Sequence, residues 1–504
     1  MRSETQSRME EKELLTALHR FLLGRSLRAY VVGGYLRDHL LGHASHDVDV
    51  AVEGEAVSLA RDFADEIGGS FVLLDQEADI ARVVASRQGA RWFVDLSGFQ
   101  GDILQDLARR DFTIDAMAVP LEAALAGKLA SRLIDPYSGM EDLGQRLVRA
   151  LGPHVFQDDP LRLLRAVRLA QQLDFQIENS TERLIKGAVA NLDRVAPERV
   201  RDELLKTLAI PRAARGVETL DSLGLLTRVL PELEAGRGVS QPKEHYWDVL
   251  QHNIHAVGQV ERVLEAKAHP DDPVAALVPW HYSLGDHFME ELGDAHSRAT
   301  FLKLSGLLHD VAKPQTKSLQ ADGRVRFLGH SDQGAEAARA ALRRLRLSGR
   351  VVEAVATMIE HHLRPSQMAQ PDQLPTNRAI YRYFRELDEV AIDTLYLSLA
   401  DYLAARGPNL DMDDWRRYCA TIGHILEVGL SEAAPERLPK LIDGHDLISL
   451  FGLLPGPHFR ELLEAVRGAQ AAGEVRTREE ALGLVRELIS SSMASAVRAE
   501  KADR

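Results

Sequence analysis

Residues 31–52 read VVGGYLRDHLLGHASHDVDVAV and constrain the fold more than any other stretch. An apolar run meets a Gly-Gly pair, a short segment follows, and alternating Asp and Val close the window. The pattern predicts strand, tight turn, short helix and strand. Side chains alternate faces along a strand, so Asp47, Asp49 and Ala51 share one side, and Val48, Val50 and Val52 the other. The valines suit a buried sheet face. Two carboxylates left side by side repel unless a cation stands between them. A hard divalent ion such as Mg²⁺, with oxygen ligands and a bound phosphate, meets that need. Gly33 and Gly34 remove side-chain bulk where backbone must approach a ligand. Either half alone fits an ordinary turn or an acidic strand end; both within one window favour a site for a nucleoside triphosphate and its metal.

The rest of the chain suits a multi-domain enzyme. At 504 residues it exceeds what one core fills, and roughly two to four domains are expected. The single cysteine, Cys419, excludes an intramolecular disulfide and fits a reducing compartment. A net charge of -14 argues against a broad nucleic-acid binder, and DNA is not an expected partner, although a local basic groove for RNA remains compatible. The opening MRSETQSRMEEKE has no apolar signal core, and no apolar run approaches the ~20 residues that span a bilayer. A cytoplasmic location, with no membrane partner, is expected.

Residues 48–52, 71–74, 81–85 and 91–96 read as strands, and 56–67 as a helix closed by Gly68 and Gly69. From about Asp158 strand signals vanish and amphipathic helices dominate. Pro211, Pro231 and the stretch 236–245 punctuate them, the last marking the best boundary. A segment rich in His, Asp and Pro at 265–296 looks like an insertion.

The order Gly33, Gly34, Arg37, Asp38, then Asp47 and Asp49, resembles the tRNA nucleotidyltransferase and bacterial poly(A) polymerase family, class II of the polymerase-β nucleotidyltransferase superfamily. Further blocks follow in the family's order: RRDFTIDAM at 109–117, DDPLRLLRAVR at 158–168 and PERVRDEL at 197–204. The resemblance implies an α/β polymerase-β-like head at 1–145, followed by an all-α neck and body at 146–235, an HD-type domain at 236–425 and a helical tail at 426–504. It implies addition of C and/or A residues to tRNA 3′ ends from CTP and ATP, with CCA the commonest product, since CCA-, CC-, A- and poly(A)-adding members share these motifs. Mg²⁺ would be held by Asp47 and Asp49, with Asp95 as a third carboxylate. Asp95 reads equally well as a turn aspartate before Ser97 and Gly98.

By the same resemblance Arg37 contacts phosphate, although a pair with Asp38 is its plain alternative, and of Arg109 and Arg110 the second contacts the incoming nucleotide. Asp159 and Arg162 would bond the base edge, with Arg165 and Arg168 towards the phosphates; carboxylate and guanidinium suit an exocyclic amine and a ring acceptor. Asp159 also fits a helix N-cap and Pro160 the first helical position. Arg199 and Glu203 are expected to brace neighbouring helices. The chain departs from the family at Asp115, where asparagine is usual; a carboxylate there adds negative charge near the triphosphate.

The second half carries a separate set. His309-Asp310 follows His252 and precedes His330, the pair His361-His362 and Asp401. This order resembles the HD-domain metal-dependent phosphohydrolases. The implied ligands are His252, His309, Asp310, His330, His362 and Asp401, a set suiting Mn, Fe, Ni or Zn. The alternative whole-chain reading is therefore an HD phosphohydrolase or phosphodiesterase with an RNA-binding head. Arg339, Arg343, Arg344, Arg346 and Arg350 offer a candidate tRNA-backbone patch, and His445-Asp446 reads as a helix cap.

Overall fold

The computed structural model describes residues 4–87, 90–321, 323–370, 373–431 and 439–502. The chain forms two compact units, Met1–Glu203 with Thr219–Val229, and Leu204–Glu218 with Leu230–Arg504.

The first unit is built on six strands: β1 (Ala29–Val32), β2 (Asp47–Glu53), β3 (Ser70–Asp75), β4 (Ile80–Arg87), β5 (Ala90–Phe99) and β6 (Ala118–Pro120). Their order is β3-β4-β5-β2-β1-β6. Only β2 and β5 are parallel; the other neighbours are antiparallel. The alternation in β2 works as its sequence predicts: Val48, Val50 and Val52 are buried, Asp47 is exposed and Asp49 half-buried. Helix Ala56–Ile67 buries Leu59, Ala60 and Phe63 and stops at Gly68, whose φ of 66° a side chain would resist. Three-residue β6 is too short to show a period in the sequence.

Beyond the sheet lie helices Arg162–Leu173, Asn179–Ala188 and Pro197–Ala209. Strands do not vanish here, contrary to expectation: Leu147–Val148 pairs in parallel with Gln176–Ile177. The second unit likewise holds two short ribbons, Glu291–Gly293 with His296–Ser297 and Lys317–Leu319 with Val325–Phe327. Runs of two or three residues carry no readable alternation.

Otherwise the second unit is helical. Helices Val249–Leu264, Arg298–Leu308, Gly349–His361 and Ala391–Arg406 pack on one another around Phe301, Tyr383 and Tyr396. In the tail, Asp443 rather than the His445-Asp446 pair is the N-cap of helix Gly444–Phe451, and Asp446 closes the capping box by accepting from the Asp443 N–H at 3.0 Å. Among the described residues no helix is long and apolar enough to cross a membrane.

Candidate functional site

The sheet register assembles the first site. Asp49 on β2 stands opposite Asp95 on β5, and Asp95 opposite Arg82 on β4. Residues paired in register share a face, so Asp47, Asp49 and Asp95 form one carboxylate group. Gly33 leaves β1 with φ +64° and opens helix Gly33–Leu40. At that turn the Tyr35 N–H donates to Asp49 Oδ2 at 3.1 Å. A Cβ on Gly33 would sit 3.0 Å from Arg110 Nη1 and 3.1 Å from Asp49 Oδ2, so a side chain here would press on both groups. Burial pushes the Asp49 carboxyl up to about 6, against the pull of the Tyr35 N–H and Arg110. Burial raises Asp47 too. Carboxylates that resist ionisation together are a fit for divalent cations.

Each arginine around this group has an anionic or carbonyl partner. Asp106, almost wholly buried, accepts from both Arg109 and Arg110 at 2.6–3.0 Å. Sequence reasoning missed Asp106; its spacing of three and four residues before the two arginines is the helical signal that marks it. Arg37 donates to Asp38 at 2.8 Å and to buried Asp115 at 2.7 Å. The extra carboxylate at 115 is thus met by Arg37, although burial still raises its pKa. Arg165 lies 3.0 Å from Asp111, and Arg168 bonds Glu203 at 2.6 Å.

Asp159 caps the turn before helix Arg162–Leu173 by accepting from the Leu161 N–H at 3.2 Å. The regular helix begins two residues later than Pro160 suggests, because the turn at 159–164 closes with i to i+3 bonds. Arg199 grips both Asp159 oxygens at 2.8 and 3.3 Å, and Arg162 donates to the Arg109 carbonyl at 3.1 Å. Arg199 and Glu203 therefore brace Asp159 and Arg168. Two clefts result. One, of about 320 Å³, is lined by Gly33, Gly34, Arg37, Asp47, Arg110 and Arg168. The other, of about 420 Å³, is lined by Asp95, Arg109, Asp159 and Arg162. Asp49, Arg110 and Arg165 border both.

The second unit gathers the histidines and aspartates of the HD set. His252 and His309 bring their Nε2 atoms to 3.0 Å, and each lies 3.1–3.4 Å from Asp310 and Asp401. On the other side of Asp310, His330 and His362 approach Oδ1 to 3.4 and 3.8 Å. His362, not His361, belongs to the cluster; His361 faces Glu360. His309, His330 and His362 each set Nδ1 against a backbone carbonyl at 2.6–2.9 Å, which turns Nε2 inward.

The inward atoms are orphans: His330 Nε2, His362 Nε2 and both Asp310 oxygens are buried without a well-directed hydrogen bond. That donor set fits metal, in two groups sharing Asp310. Burial disfavours the His309 imidazolium, yet Asp310 and Asp401 hold it up to about 10. Burial and His309 push His362 down to about 3. Lys313, another residue the sequence reading passed over, stands 2.5 Å from Asp310. The arginines after His330 do not form a free basic patch: Arg339 and Arg343 bond Glu353, Arg344 bonds Glu232 and Arg350 bonds Glu389.

Fold and sites together define a nucleotidyltransferase-type head carried by a chain with an HD-type cluster of histidines and aspartates. Family comparisons agree. The model described as Poly A polymerase head domain matches residues 29–149, that for a Probable RNA and SrmB- binding site of polymerase A matches 174–236, and the HD domain matches 283–406. An A-adding tRNA nucleotidyltransferase of Deinococcus radiodurans is 35% identical over 464 residues, 91% of this chain and 94% of that one. A CC-adding tRNA nucleotidyltransferase of Thermus thermophilus is 32% identical over 461 residues, 90% and 92% of the two chains. In fold, the chain resembles the Thermotoga maritima CCA-adding enzyme complexed with tRNA, with a TM-score of 0.59, 23% identity and 95% of each chain covered. The chain belongs to the tRNA nucleotidyltransferase family.

Proposed function

We propose that the head adds C and A residues to tRNA 3′ ends from CTP and ATP, with CCA the full product. The observation that carries this is the row Asp49–Asp95 beside Asp47, set directly over the Gly33-Gly34 turn. The RNA 3′ oxygen attacks the α-phosphorus, the bond from that phosphorus to the β-phosphate oxygen breaks, and pyrophosphate leaves. Asp47 and Asp49 hold divalent metal, with Asp95 completing the carboxylate set. Enzymes of this family use divalent metals, and we assign Mg²⁺ here; bound, it supplies charge stabilisation for the attacking and leaving oxygens. Gly33 and Gly34 let the backbone approach the triphosphate, and Arg37, Arg110, Arg165 and Arg168 border its cleft. Asp159 and Arg162, held by Arg199 and the Arg109 carbonyl, face the base from the second cleft with Arg109.

The relatives differ in which nucleotides they add, one being named for adding A and another for adding CC. Extension of tRNA transcripts ending at the discriminator base, at C and at CC, each with CTP, ATP or both, tests the proposal. Growth to CCA and no further supports the full reading. C addition alone, A addition alone or an unlimited A ladder replaces it with a sister activity, and no extension defeats it.

A second reading concerns the HD cluster, favoured by its orphaned inward donors. His252, His309, Asp310, His330, His362 and Asp401 would hold Mn, Fe, Ni or Zn, which when bound activates water against a phosphoester. As a ligand His309 would be neutral, with Nε2 unprotonated. The cluster borders a cleft of about 770 Å³ that also carries Lys313, Arg326 and Arg406. Metal analysis of the purified chain, and hydrolysis of phosphomonoester and 2′,3′-cyclic phosphate RNA ends, test it.

A further inference from the structure

Arg82 grips Asp95 of the carboxylate group with two hydrogen bonds, yet it lines neither head cleft. Its Nε donates to Asp95 Oδ1 at 2.7 Å and its Nη2 to Asp95 Oδ2 at 2.9 Å, a two-bond fork. The register makes this pairing: Arg82 is the β4 partner of Asp95, and Asp49 is its β5–β2 partner. The guanidinium also lies over the Phe93 ring, 5.0 Å from its centre, which restricts the side chain further. Asp95, Asp47 and Asp49 all act to keep Arg82 charged. Without a cation at this place, three carboxylates on two adjacent strands would push Asp95 away from Asp49.

We propose that Arg82 is a positioning residue for nucleotidyl transfer, holding the Asp95 carboxylate in line with Asp49 so that the row stands ready before divalent metal binds. This rests on the proposed function of the head. Arg82 touches neither nucleotide nor RNA in this role; it acts through Asp95. Two consequences separate it from an ordinary cross-strand ion pair. Its loss changes how the head uses Mg²⁺, and that loss disappears once Asp95 is gone.

The experiment compares full-length wild type with Arg82→Ala, Arg82→Lys, Asp95→Ala and the Arg82→Ala/Asp95→Ala double variant. One arm measures tRNA extension across a Mg²⁺ series. The other measures binding of a non-hydrolysable ATP analogue across the same series with no RNA present. Arg82→Ala is expected to lower kcat and raise the Mg²⁺ needed for half-saturation, each by about tenfold or more, with KM for tRNA unchanged. Arg82→Lys recovers part of the loss. Asp95→Ala and the double variant match each other. Additive losses, a change confined to KM for tRNA, or wild-type Mg²⁺ dependence in Arg82→Ala would overturn the proposal. A wild-type protein that extends no tRNA defeats the function instead, while the analogue-binding arm still decides the role of Arg82.

Discussion

Asp106 shows how one residue can matter through its neighbours. Asp106 is 3% exposed and serves two guanidiniums, both of which border the second head cleft. Removing the charge from a buried, shared partner leaves both arginines without their anchor. Asp106→Asn should cost about 1–3 kcal/mol in denaturant unfolding and raise KM for the nucleotide. Asp49 carries a pH signature. In the folded metal-free chain it keeps its proton up to about 6, against roughly 3.9 when unfolded. The folded state therefore binds more protons, so this group favours folding fully below about pH 4, and that contribution is lost as pH rises through 6. Wild type should lose stability relative to Asp49→Asn between pH 4 and 6 when metal is chelated; parallel profiles for the two would refute the assignment.

Elements place these residues. Gly33 sits at the joint of β1 and helix Gly33–Leu40 with φ +64°, where an L side chain is strained and would press on Arg110 and Asp49. Gly33→Ala should cost about 1–2 kcal/mol in stability and lower nucleotide binding more than tenfold, by circular dichroism melts and analogue titration. The motif at 31–52 announced this joint because all its parts lie within one short window. The partners of Asp159 and Arg168 announced much less. Arg199 and Glu203 come from helix Pro197–Ala209, so only folding brings them to the block at 158–168. Helix start signals were also partly misleading: Pro160 suits a first helical position, yet a tight turn intervenes before Arg162. Local propensity ranks the options, and packing chooses among them.

For the molecule as a whole, each compact unit contains its own cluster of candidate metal ligands. Asp310→Asn should therefore remove transition-metal binding and any phosphohydrolase activity while tRNA extension stays near wild type. Asp47→Ala with Asp49→Ala should do the reverse, with circular dichroism confirming that both variants fold. If Asp310→Asn also abolished extension, the two sets would not be independent.

The sequence by itself determined the residue types and their order: alternating Asp and Val, paired glycines, ordered arginine blocks, and a run of His and Asp separated by helical segments. Those patterns are local, and short-range sterics and side-chain alternation make them readable. Only the tertiary structure decided who neutralises whom. Arg37 with Asp115, Arg82 with Asp95 and Arg168 with Glu203 are pairings set by register and by packing. A buried charge requires a partner, but the partner's distance along the chain is set by topology, which no local pattern encodes.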